Sequence, residues 1–139
     1  MITTYEFPNQ WNWRLFLAIN DDGESLNDIL NHLNEKEGCE FLLNDNDEIS
    51  PPCFAAEKDS LIGVICIDKF TFTPKDVMFV IHELTHMMIE ISEVNGCKIN
   101  DATTECWAYF MGNMTQMLLE ILISECESKN QKQKKRRKE

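Results

Sequence analysis

Two histidines four residues apart, with a glutamate directly after the first, are the residues of this chain whose types and spacing most clearly imply chemistry: His82-Glu83-Leu84-Thr85-His86. On a helix, positions i and i+4 share a face, so both imidazoles reach a single cation while Glu83 stands beside them as a base. Imidazoles are good zinc ligands, and a zinc-activated water attacks carbonyls at neutral pH. The pattern therefore points to hydrolysis assisted by one Zn2+ ion. The motif falls inside the apolar run 77–91. Burying two imidazoles and a carboxylate there would be costly unless they are paired or bound to metal. A lone histidine in such a run is usually a hydrogen-bonded core residue, but two at this spacing around a glutamate are harder to explain that way.

Two histidines do not complete a zinc site, which needs at least one more protein ligand and, for catalysis, a position left to water. Glu105 leads the candidates: it falls nineteen residues past His86, in the first turn of the last expected helix, and a turn at Gly96 between antiparallel helices carries it back across the histidine face. Asp101, one turn earlier, is its rival. Glu90 continues the His82–His86 line along the same helix and cannot close a tetrahedron. Glu105 also has a plain reading, as a first-turn acid favoured by the helix dipole. His32 lies off the apolar line of its own helix and is expected to be solvated.

The elements that must position these residues are marked by local signals. Residues 2–7 alternate and are rich in β-branched and aromatic types, Pro8-Asn9-Gln10 breaks the run, and residues 13–19 read as a second strand, so the two form a hairpin. Ser25 caps a helix over about 25–36, with Leu26, Ile29, Leu30 and Leu33 on one face and Gly38 beyond its end. Residues 39–43 suggest a short strand, and the acidic cluster 44–48 a solvated turn, because its spacing does not fit a calcium loop. Residues 53–57 and 61–68 read as a second hairpin. Thr73-Pro74-Lys75-Asp76 opens the helix that carries the histidines and stops near Asn95-Gly96. Asp101 caps a final helix to about residue 128, whose face Trp107, Phe110, Met111, Met114, Leu118, Ile121 and Leu122 packs on the histidine helix. Met87 and Met88 are core fillers.

At 139 residues the chain is one domain, 1–128, followed by a basic tail, 129–139, expected to be disordered. The tail holds seven basic residues against Glu139, a net of +6, which leaves −17 on the remainder of a chain whose formal charge is −11. So acidic a body repels nucleic acid. The tail either contacts nucleic acid or an acidic partner, or folds back on the acidic surface as a solubilising end. With no interleaved aromatics to stack on bases, the second is favoured. No run has the length of a membrane span and residues 1–20 do not resemble a signal peptide, so a cytoplasmic protein without membrane contact is expected. Six scattered cysteines with no CxxC pair are read as free thiols.

His82-Glu83-Leu84-Thr85-His86 followed by Glu105 resembles the zincin metallopeptidases, and within them the gluzincins, which include the thermolysin-like enzymes. Glu105-Cys106-Trp107-Ala108-Tyr109 is similar to the ExxAY segment that follows HExxH in small phage-encoded zincin-like proteins. The resemblance covers about residues 74–112. It implies an α+β, minimal zincin-like domain, with a small, mostly antiparallel sheet packed on the active-site helix and a long C-terminal helix. A strand edge beside the metal, from 61–68 or its hairpin partner, would receive an extended substrate. It also implies His82, His86 and Glu105 as ligands of one zinc ion and Glu83 as general base. The expected activity is zinc-dependent hydrolysis of a peptide or protein amide, in the host cytoplasm if the protein is phage-encoded. The alternative is a non-catalytic, zinc-binding interaction or inhibitory protein on the same scaffold. Two departures stand out: no room for the second large domain of thermolysin-like enzymes, and no histidine besides His32 to act as a transition-state donor.

Overall fold

A computed structural model describes residues 1–45 and 48–139. Asn46 and Asp47, within the acidic turn expected at 44–48, lie outside the described residues. The two N-terminal runs form the expected hairpin: β1 (Ile2–Phe7) pairs antiparallel with β2 (Arg14–Asn20), Ile2 opposite Asn20 and Phe7 opposite Leu15. Its connection is shaped by one side chain. Asn9 Oδ1 accepts from the Trp11 and Trp13 amides at 2.9 and 3.4 Å, and Asn9 Nδ2 donates to the Trp13 carbonyl at 2.7 Å. Such local amide bonds replace the ladder bonds that a turn leaves unmade.

The second hairpin, β3 (Cys53–Glu57) with β4 (Ile62–Ile67), joins the first through a parallel pairing of β4 with β2. The result is a four-stranded mixed sheet in the order β1-β2-β4-β3. Both inner strands are covered on both faces, which is why their sequences are continuous apolar runs. Leu15, Leu17, Ile19, Ile65 and Ile67 face one core, and Phe16, Ala18, Ile62, Val64 and Cys66 face the other.

Helix α1 (Leu26–Glu37) covers the second face with Leu26, Ile29, Leu30 and Leu33. A capping box starts it, Asp28 N donating to Ser25 Oγ and Ser25 N to Asp28 Oδ2, and Gly38 ends it at φ 65°. The strand expected at 39–43 is absent. Cys39 and Phe41 are buried there, but Phe41 bonds through both backbone groups to the Asn34 side chain, at 2.8 and 3.0 Å, so no strand partner is needed. All six cysteines are free.

The first face is covered by α2 (Pro74–Val94) and α3 (Thr104–Lys138), giving a three-layer α+β arrangement. As expected, Thr73 caps α2, its Oγ1 accepting from Asp76 N at 3.2 Å, and the chain leaves the helix through Asn95 and Gly96, at φ 70°. Helix α3 departs from expectation at both ends. It begins at Thr104 behind Thr103 rather than at an Asp101 cap, and it continues past residue 128 to Lys138. The tail is helical because nothing in it breaks a helix: Lys, Arg and Gln are good helix formers, and cations near a C-terminus complement the dipole. Lack of apolar periodicity predicts lack of packing, not lack of helix. No helix among the described residues is long and apolar enough to cross a membrane.

Candidate metal centre

The core stripe of α2 consists of Val80, Leu84, Met87 and Ile91, all fully buried against the sheet and α3. The helix crosses the sheet closely at Gly63, where a Cβ atom would meet Phe54, Leu15 and Met87 at 3.3, 3.4 and 3.6 Å. Its ends are tied down by residues outside it. Asp76 Oδ2 accepts from both the amide and the hydroxyl of Thr71, at 2.8 and 3.0 Å, and at the other end Asn95 Oδ1 accepts from Trp13 Nε1. Between them, Lys58 in the β3–β4 turn pairs with Glu90 at 3.4 Å. The backbone that carries His82 and His86 is thus held at its start, middle and end.

Counted from that stripe, the two histidines fall on the solvent side, and both are exposed. Their cost of burial, expected from the apolar sequence around them, does not arise. Only Glu83 is buried, at 7% exposure. The imidazoles converge: the two Nε2 atoms stand 3.2 Å apart. The contact is a hydrogen-bond distance between the rings, and it is also close to the roughly 3.3 Å that separates two nitrogens bound to one tetrahedral zinc ion at about 2.0–2.1 Å. Glu83 Oε1 lies 3.9 Å from His82 Nε2, which places a carboxylate beside the point on which the imidazoles converge. The donor set is two imidazole nitrogens with a carboxylate nearby, ligand types that zinc accepts, and it is open to solvent on one side.

Glu105 is not brought to this pair. Among the described residues, no group of three His, Cys, Asp or Glu side chains is arranged to hold a metal ion. The reason lies in the phase of α3. Trp107 is buried and its ring stacks on Trp11 at 4.9 Å between centroids, 10° from parallel. Two residues along a helix are about 200° apart, so a helix that turns Trp107 inward turns Glu105 outward. Glu105 is exposed, and with Ala108, Tyr109 and Gly112 it lines a shallow cleft of about 170 Å³. Tyr109, 68% exposed, shares that outward face. Asp101, the rival ligand, is also exposed. His32 is on α1, across the sheet from the pair.

Two features beside the histidines escaped the sequence reading. Met78, Ile81 and Ile89 are 48, 40 and 41% exposed and share one arc of α2 with His82, Thr85 and His86. An apolar strip flanks the pair. Its signal is in the sequence, since residues 77–91 carry more apolar side chains than one core stripe uses. The second is a cleft of about 250 Å³ between the end of β4 and the start of α2, lined by Pro52, Ile67, Phe70 and Phe79, with Asp68 and Lys75 among its polar groups. Phe79 precedes His82 by one turn, and burial pushes the Asp68 carboxyl above its ordinary range. Of the two strands proposed as the sheet's edge, β4 is internal and β3 is outermost.

Comparison of the chain with protein-family models, with curated proteins and with solved structures finds no match.

Proposed function

We propose that this protein is a zinc-dependent hydrolase of the metallopeptidase kind, acting on peptide amides. The observation that carries the reading is the convergence of the His82 and His86 Nε2 atoms to 3.2 Å, with the Glu83 carboxylate beside them. His82 and His86 would hold the ion, and Glu105, exposed in this structure, would have to turn toward them to serve as the third ligand. When bound, zinc lowers the pKa of water to about 7 and polarises a carbonyl. Glu83 accepts the proton of the attacking water and returns it to the leaving amine. Met78, Ile81 and Ile89 offer apolar contact to an extended substrate lying along α2.

One observation favours a second reading, a non-catalytic zinc-binding interaction protein: Glu105 faces solvent, so among the described residues the pair lacks a third ligand. Zinc content by elemental analysis, together with cleavage of a mixed peptide library, separates the two. Under the hydrolase reading the chain binds one zinc ion, and His82→Ala abolishes binding. Glu105→Ala also weakens it, because under this reading Glu105 turns to the ion on loading as its third ligand. Glu83→Gln retains zinc and loses about 10²–10⁴ in rate, the range for a general base. Zinc bound with no cleavage by either form gives the second reading, and no zinc bound overturns both.

A further inference from the structure

The basic segment of α3 is left unused by the metal centre. It is helical and anchored at its root, where Lys129 Nζ pairs with Asp21 Oδ1 at 2.9 Å. Among the described residues, fold-back of this segment onto the acidic body is seen at that contact, and residues 131–139 are all exposed. At about 1.5 Å per residue, Lys138 stands about 13 Å beyond Lys129. Screening at physiological ionic strength acts over about 8 Å, so the last turn is electrostatically separate from the body. The −17 charge of residues 1–128 therefore does not cancel the tip.

The arrangement of the charges narrows the partner. Lys132, Lys134, Lys135, Arg136, Arg137 and Lys138, stepped by about 100° each along the helix, point to every side. Residues 129–139 include no apolar side chain, so there is no face to insert into a lipid surface. They include no aromatic, so there is no platform for unstacked bases. A rod of cations on all sides is complementary to a channel with anions on both walls. The major groove of duplex DNA is such a channel, about 12 Å wide and flanked by two phosphate backbones, and it admits one α-helix.

We infer that residues 132–138 form a docking element for duplex DNA, seated in the major groove by phosphate contacts without base readout. The inference is independent of the metal centre. It is tested with the full chain by fluorescence anisotropy, using a mixed-sequence 20-base-pair DNA duplex, a single strand of the same length, and vesicles of phosphatidylserine and phosphatidylcholine, over a salt series. The expected result is binding to the duplex in preference to the single strand and the vesicles, with log K falling against log salt at a slope between about −3 and −5. Replacing the six cations by Gln lowers duplex affinity at least about tenfold at low salt and flattens the slope. Gln131→Pro with Gln133→Pro keeps every charge, breaks the helix and also weakens duplex binding. The inference is overturned if the six-Gln variant binds the duplex as the parent does, if the proline variant loses nothing, or if single strand or vesicle is bound more tightly than duplex. It is also overturned if sedimentation shows the six cations holding two copies together instead.

Discussion

Trp13 donates its indole N–H to the Asn95 side chain at 3.0 Å, joining the β1–β2 turn to the C-cap of α2 across 82 residues of sequence. Asn95 Nδ2 also donates to the Trp11 carbonyl at 3.4 Å. A single amide thus closes the end of the histidine helix onto the loop whose Trp11 stacks on α3. Trp13 is 5% exposed, so its N–H has little access to water if that partner is lost. Asn95→Ala should therefore destabilise the fold by about 1–3 kcal/mol, the cost of stranding a buried donor. Urea denaturation measures it. In the Trp13→Phe background, where no donor remains, the same substitution should cost clearly less.

The start of α2 should respond to acid. The hydrogen bond from the Thr71 amide, with further ones from the Thr71 hydroxyl and Thr73, holds the Asp76 carboxyl below the ordinary aspartate range against the opposing effect of desolvation. A carboxyl whose pKa is lowered by folding contributes stability that is fully present above its unfolded value, about 3.9, and is lost as pH falls through the lower folded value. Asp76→Asn should lower the melting temperature at pH 7. The gap between variant and parent should narrow progressively below about pH 4. A gap that stayed constant down to pH 2 would mean that Asp76 acts through shape rather than charge.

Close approach of α2 to the sheet should make Gly63 intolerant of bulk. Phe54, Leu15 and Met87 already crowd the space that a Cβ would take. Gly63→Val should destabilise by about 1–3 kcal/mol through overpacking. Because the strain falls under Met87, one residue past His86, zinc affinity should drop along with stability. Calorimetric zinc titration beside a thermal melt would reveal a Gly63→Val chain that is destabilised but binds zinc as before, the result contrary to this coupling.

What was legible in the sequence is what neighbouring residues settle among themselves. Ser25 with Asp28, and Thr73 with Asp76, write two helix starts in four-residue patterns, and both helices begin there. The spacing of His82 and His86 places two imidazoles together on any helix, and they meet. Alternation and turn chemistry produced both hairpins. Where a prediction rested on packing rather than local preference, as with the disordered tail after residue 128, it did not hold: the helix reaches Lys138 without a core to hold it.

Only the tertiary structure decided how elements are phased about one another. Pairing of β2 with β4 is parallel, with α1 covering one face of the sheet while α2 and α3 share the other. Helix α3 turns Trp107, Phe110, Met114, Leu118 and Leu122 into the core, with Trp107 stacked on Trp11 nearly a hundred positions away in sequence, and that phase leaves Glu105 to solvent. A helical period says which residues share a face. Which neighbour that face meets depends on burial summed over the whole core, and no short stretch of sequence carries that sum.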